Sequence, residues 1–281
     1  FYTNTGYEYW GRAAALIHIS VEGNDDIEPF PNERIYHLAS GQHFVSSFPP
    51  RNQSKISGVK DAEVASYRGN PLDFLVTLRA LLVGLIDWVK QDTPPPPSQF
   101  PHHADKSLVR LNRLMFPRIP GVRIPKVMHE AYRMDYGPRW SEGIIDKHPP
   151  EVGAMYANLV SQVDRYGNEA AGVRTLELMV PLATYAPWCL RHGAALNEME
   201  LDDFYGTYIP LARTESERFH TNDQRPSIES RFRSKAAYLE EAVFASTMLI
   251  DRGVLLQQDQ QLVLDRAEAM WDWIHRDPLE E

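Results

Sequence analysis

The chain has 281 residues, 43% of them hydrophobic and 24% charged, with a formal net charge of −9. No cluster of Lys and Arg offsets that acidity, which excludes nucleic acid as a partner, because such affinity comes mainly from neutralising phosphates. The single cysteine, Cys189, excludes an internal disulfide and a cysteine-based zinc site, and no apolar run approaches the roughly 18 residues of a membrane span.

Phe1–Thr5 is built of aromatic and β-branched residues up to Gly6 and reads as a β-strand already under way. A strand met so early predicts a truncated sequence with partner strands encoded upstream. Tyr7–Ile19 reads as a short helical stretch, followed by a polar acidic loop from Glu22 to Asp26 that closes on Pro29 and Pro31. Arg34–Ala39 is a β-rich run ended by Ser40-Gly41, the pattern of a buried strand. Asn70 as N-cap and Pro71 at the first helical position predict a long helix ending near Trp88–Lys90, with an apolar face wide enough to pack on a sheet. Pro94–Pro97 is a stiff polyproline spacer.

Beyond the spacer the chain is proline-rich, with β-like patches at Val127–Tyr136, Tyr156–Val163 and Ala171–Val180. Asp164–Asn168 between the last two carries a hairpin signal. From residue 226 the pattern is helical. Ser227 and Ser234 are N-cap candidates, Tyr238, Ala242, Ala245 and Leu249 share a face, and Gly253 is a stop. A last helix runs from about Gln258 to His275 and stops before Pro278. The order predicts an α/β fold with crossover helices over residues 1–97 and an accessory extension over 98–281. Within that extension a β-hairpin region covers about 101–225 and a helical region about 226–276.

The chemistry sits in the first 45 residues. Glu8 follows the first strand and His43 follows the second, and catalytic groups of open α/β sheets gather at the carboxyl ends of strands. An acid and then a histidine is the order that completes a Ser…Asp/Glu…His triad. Asp25, Asp26 and Glu28 are reserve acids in a solvated turn, and Glu8 could equally pair with Arg12 one helical turn away. Tyr7, Tyr9 and Trp10 are candidate substrate-pocket residues or packing residues under the sheet edge, and His37, inside a strand, reads as a hydrogen-bonded core histidine. His102-His103 with Asp105 lacks a further ligand, and Glu22–Asp26 lacks the spacing of a calcium loop, so no metal and no cofactor is expected.

Gly6-Tyr7-Glu8-Tyr9-Trp10-Gly11-Arg12-Ala13-Ala14, Arg34–Ala39 and Gly41-Gln42-His43 resemble a family of alpha/beta hydrolase domain proteins. The resemblance continues through Asn70–Asp73, Arg79–Leu82, Gln162–Asp164, Gly167–Glu169, Val180–Tyr185 and Arg225–Glu229. It implies the C-terminal part of an α/β-hydrolase sheet and an esterase-like serine hydrolase acting on a small-molecule ester. Glu8 would be the triad acid and His43 the general base. The chain departs from the pattern in lacking a Gly-x-Ser-x-Gly nucleophile elbow; Trp140-Ser141-Glu142-Gly143 comes nearest, with Arg139 in place of the first glycine. The expectation is a serine upstream of this chain, with the chain alone inactive. The alternative is a non-catalytic α/β binding or assembly module. Oligomeric state leaves no mark in the sequence, and the cysteine content fits a cytoplasmic as well as a periplasmic or secreted protein.

Overall fold

The computed structural model describes residues 1–50, 67–191 and 200–276. Strand β1 (Tyr2–Thr5) runs directly into helix α1 (Gly6–Gly11), and β2 (Ile35–Leu38) lies parallel to β1 with Tyr2 opposite Ile35 and Thr5 opposite Leu38. The expected helix over Tyr7–Ile19 is interrupted. Ala13 takes a left-handed φ of 52° and only a 3₁₀ segment, Ala14–Ile17, follows. On its other flank β2 is extended by parallel bridges to Gln99 and Val173. Both bridging segments come from beyond the polyproline spacer, which returns the chain to β2; the Tyr36 hydroxyl donates to the Pro96 carbonyl at 2.6 Å.

The other described strands do not join this sheet. Strand β3 (Arg68–Gly69) precedes α2 (Leu75–Gln91), and β4 (Leu108–Arg110), β5 (Tyr132–Asp135), β6 (Glu151–Met155) and β7 (Leu159–Ser161) follow. After the one-turn helix α3 (Leu176–Met179) come β8 (Ala183–Ala186), β9 (Thr207–Pro210) and the helices α4 (Glu215–Thr221), α5 (Ile228–Arg231), α6 (Lys235–Asp251) and α7 (Gln260–His275). The strands make small separate sheets: β3-β9-β8, β4-β7 and β5-β6, all antiparallel. The mixture of helices and strands is that of an α/β chain, but its sheets are fragmented, in place of the one sheet with crossover helices that the sequence suggests.

Two local readings change for a physical reason. Helix α2 starts at Leu75, later than Asn70 predicts, because Asn70 closes a local turn ahead of it and Asp73 Oδ1 accepts the Leu75 N–H at 3.0 Å. Asn70 Oδ1 accepts Leu72 N–H at 3.0 Å, while the Asn70 amide donates to the carbonyls of Ser40 and Ala186 at 2.7 and 3.1 Å. The wide apolar face of α2 is also not sheet-packed: Leu75, Leu82, Val83, Ile86 and Val89 are exposed, and Thr77, Ala80 and Leu81 are the buried members. Ala171–Val180 carries α3 in place of a strand, and the Val127–Tyr136 patch pairs through β5 with β6.

The helical end follows its signals. Ser227 Oγ accepts from Ser230 N–H and Ser234 Oγ from Ala237 N–H, each at the start of a helix. Tyr238, Ala242, Ala245 and Leu249 are buried, and Gly253 has φ 72° at the end of α6. Pro278, expected to stop the last helix, lies outside the described residues. The largest core joins Tyr36, Leu38, Leu72 and Leu81 with Leu178, Tyr185, Tyr208, Tyr238 and Trp271, so residues from both ends of the chain share it. No helix among the described residues is long and apolar enough to cross a membrane.

Candidate active site

Because β1 and β2 are parallel, their carboxyl ends open on the same edge. The chain leaves β1 into α1, whose first turn carries Glu8, and leaves β2 into Ala39–Gln42, which leads to His43. The two meet there: His43 Nδ1 lies 2.6 Å from Glu8 Oε1. The other carboxylate oxygen, Oε2, accepts the backbone N–H of Thr5 at 2.7 Å and also the Thr5 hydroxyl. This is the back-reaching half of a capping box, so the start of α1 and the aim of the carboxylate are set by one interaction. The Glu8 side chain is 16% exposed and the His43 side chain 50% exposed. The carboxylate is thus shielded while the imidazole is open to solvent. A carboxylate at Nδ1 favours the tautomer with the proton on Nδ1 and the lone pair on Nε2. Nε2 has no hydrogen-bond partner among the described residues.

The loop that carries His43 is fixed at every residue. Ser40 holds a left-handed φ of 59°. Its N–H donates to Glu169 Oε2 at 2.6 Å, and its hydroxyl accepts Glu169 N–H at 2.9 Å. The Gly41 carbonyl accepts Tyr7 N–H at 3.1 Å. Gln42 is fully buried; its Oε1 accepts Gly206 N–H at 2.8 Å and its amide donates to Ser46 Oγ at 2.6 Å. His43 N–H donates to the Phe204 carbonyl at 3.1 Å. Glu169 also accepts from His37 Nε2 at 2.9 Å, and both side chains are buried. Gly6 has to be a glycine here, since a Cβ would lie 2.5 Å from Glu169 Oε2 and 2.6 Å from Pro187 Cβ.

Around the imidazole lie aromatic rings. Phe204, at φ 73°, packs against His43 with ring centroids 4.6 Å apart, and Tyr7 meets it edge-on at 6.1 Å. The Tyr7 hydroxyl donates to Asp203 Oδ1 at 2.7 Å, and burial together with that bond pushes its pKa up to about 12. Asp203 shifts the other way, to the acid side: burial opposes this, but Tyr7, His129 and Arg12 outweigh it. The Arg12 guanidinium lies over the Phe204 ring at 5.0 Å and 3.7 Å from Asp203, so it does not pair with Glu8.

Glu8, His43 and Tyr7 are therefore brought together, while Tyr9 and Trp10 are not at the same surface. Tyr9 is buried, edge-on to the His37 ring at 4.5 Å, with its hydroxyl 2.7 Å from His18 Nε2. Trp10 packs against Trp188 at 5.9 Å in a separate core cluster. Asp26 accepts the N–H groups of His103 and Ala104, and Asp25 and Glu28 are not at the site. Ser141 lies in a 3₁₀ turn between β5 and β6. No group of metal-ligating side chains occurs among the described residues. Sequence reasoning missed Glu169, Asp203 and Phe204. Glu169 follows a turn marked by Asp164 and Gly167, which signals a bend but not its partner, and Asp203-Phe204 carries no motif at all.

A family model described as alpha/beta hydrolase domain matches residues 14–265, a span that includes His43, Glu169 and Phe204 and begins after Glu8. No curated protein and no solved structure matches the chain.

Proposed function

This chain belongs to the alpha/beta hydrolase domain family, and from that membership we propose that it supplies the acid and base of a serine hydrolase acting on carboxylic esters. His43 is the general base and Glu8 the triad acid. The observation that carries this reading is the 2.6 Å contact between His43 Nδ1 and Glu8 Oε1 at the carboxyl edge shared by two parallel strands. The 281 residues contain no Gly-x-Ser-x-Gly, and the reading assigns the nucleophile and the oxyanion hole to a segment upstream of Phe1.

In this mechanism the serine hydroxyl attacks the ester carbonyl as His43 Nε2 takes its proton. Glu8 stabilises the imidazolium and keeps the ring in place without itself becoming protonated. Collapse of the tetrahedral intermediate breaks the bond to the alcohol oxygen, which receives the proton from His43, and an acyl-enzyme remains. Water then attacks the acyl carbon as His43 takes its proton; the bond to the serine oxygen breaks, His43 returns the proton to that oxygen, and the carboxylic acid leaves. Tyr7, beside the imidazole, lines the approach for substrate, while Tyr9 and Trp10 support the site from the core. Residues 98–281 act as an accessory region that also flanks β2 through Gln99 and Val173.

The test is hydrolysis of p-nitrophenyl acetate by the protein with its upstream segment. His43→Ala is expected to lower turnover by at least about a hundredfold with an unchanged circular dichroism spectrum. Turnover equal to that of the wild type overturns the assignment. The absent nucleophile elbow favours a second reading, a non-catalytic α/β binding or assembly module. An upstream segment without a serine elbow, together with no esterase activity, would select it.

A further inference from the structure

A cavity of about 1060 Å³ opens in the segment between β4 and β5, which the catalytic reading does not use. Its size suits a small-molecule ligand, for which pockets of about 300–1,000 Å³ with mostly apolar walls are usual. Phe116, Val122, Ile124 and Met128 form much of the wall and pack at their base against the cluster containing Trp10 and Trp188. The Phe116 and Trp188 rings are 5.6 Å apart, which ties that wall to the core. A wall anchored in this way keeps its shape without a ligand, which lowers the ordering cost of binding one.

The charge on this cavity departs from that of the molecule. The chain is acidic, at −9, yet Arg110, Arg118, Arg123 and Lys126 all line the cavity, against one carboxylate among the described lining residues, Glu130. Glu130 already accepts the Tyr132 hydroxyl. Neither the Arg118 guanidinium nor the Lys126 ammonium forms an ion pair with a described residue, and both are exposed at the mouth. An apolar wall with unneutralised cations at its rim complements a molecule with an aliphatic body and one anionic end.

We propose that this cavity, lined by Phe116, Val122, Ile124 and Met128 with Arg118 and Lys126 at its rim, is a binding site for medium-chain aliphatic carboxylates. The chain lies against the apolar wall and the carboxylate faces the rim cations. The site does not depend on ester hydrolysis, since none of these residues touches His43 or Glu8.

Titration calorimetry with sodium decanoate tests the proposal, with decan-1-ol and butyrate as comparison ligands. Decanoate is expected to bind at one saturable site, more tightly than butyrate, and equally well to His43→Ala. Arg118→Gln together with Lys126→Gln, both with exposed side chains and no ion pair to a described residue, should weaken decanoate about tenfold and leave decan-1-ol unchanged. Ile124→Trp, which fills the cavity, should weaken both ligands. No saturable decanoate binding overturns the proposal. So does decanoate affinity that neither the double neutralisation nor the filling variant lowers, or a loss for decan-1-ol as large as that for decanoate on neutralisation.

Discussion

Two histidine–carboxylate pairs flank the end of β2, and their environments differ. His43 and Glu8 sit past the strand ends, with the imidazole half exposed. His37 and Glu169 lie within the fold with both side chains buried. In the outer pair each carboxylate oxygen has a partner, and Nε2 has none among the described residues, the arrangement a proton carrier needs. In the inner pair Glu169 Oε1 and His37 Nδ1 have no hydrogen-bond partner, while Oε2 gathers the His37 ring and the Ser40 N–H. The same two side-chain types thus sit in one case where water reaches them, as the proposed acid and base, and in the other where it does not, as part of the architecture. The inner pair holds the left-handed Ser40 from which the outer histidine is suspended.

The comparison breaks most visibly through the outer pair. Glu8→Gln keeps the shape but removes the charge that, in the proposed mechanism, stabilises imidazolium. Ester turnover in the protein with its upstream segment should fall by at least about a hundredfold, with the thermal midpoint moved by only a few degrees. A midpoint shift as large as that of Glu169→Ala would erase the distinction. Glu169→Ala should act on stability first, by about 3–5 kcal/mol in a denaturant titration, because it strands the buried His37 and the Ser40 N–H. A loss under about 1 kcal/mol would show that the inner pair is not an anchor. Ser40→Ala comes next, at about 1–3 kcal/mol, since it leaves the buried Glu169 N–H without its acceptor. It should lower turnover as well, because His43 hangs from the same turn.

A further effect concerns acid. Burial and the neighbouring His37 lower the pKa of His18, behind Tyr9, from 6.5 to about 4. The unfolded chain therefore binds the extra proton first, and the stability from keeping His18 neutral is lost as pH falls from about 6.5 to 4, on the order of 3 kcal/mol. Asp202 works in the opposite direction. Burial raises its pKa from 3.8 to about 6, so the native state binds the extra proton, and its contribution is lost as pH rises through about 6. The two offset each other between about pH 4 and 6. Asp202→Asn should steepen the fall in thermal midpoint between pH 6.5 and 4 relative to wild type. Parallel curves for the two proteins would refute the opposition.

Much of the site's outline is legible in the residues before any coordinates. Strand, acid, strand, histidine is a local order, and the parallel pairing of β1 and β2 is what brings Glu8 to His43. Ser227, Ser234 and Gly253 act as caps and stops because each depends on one residue's backbone preference or one short hydrogen bond. The buried face of α6 follows from a 3.6-residue period. Only the tertiary structure decides the remainder. Asn70 is tied through its amide to the carbonyls of Ser40 and Ala186, 30 and 116 residues away, while its Oδ1 closes a turn on Leu72 ahead of α2. The Glu169–Ser40 bonds span 129 residues, and Tyr7–Asp203 spans 196. Contacts of that span leave no periodicity and no cap signal, since neither partner's neighbours encode the other. The apolar face of α2 carries a helical period that says only that one side is greasy. The fold buries a narrow strip of it, because what covers a face depends on the path of the whole chain and not on the face itself.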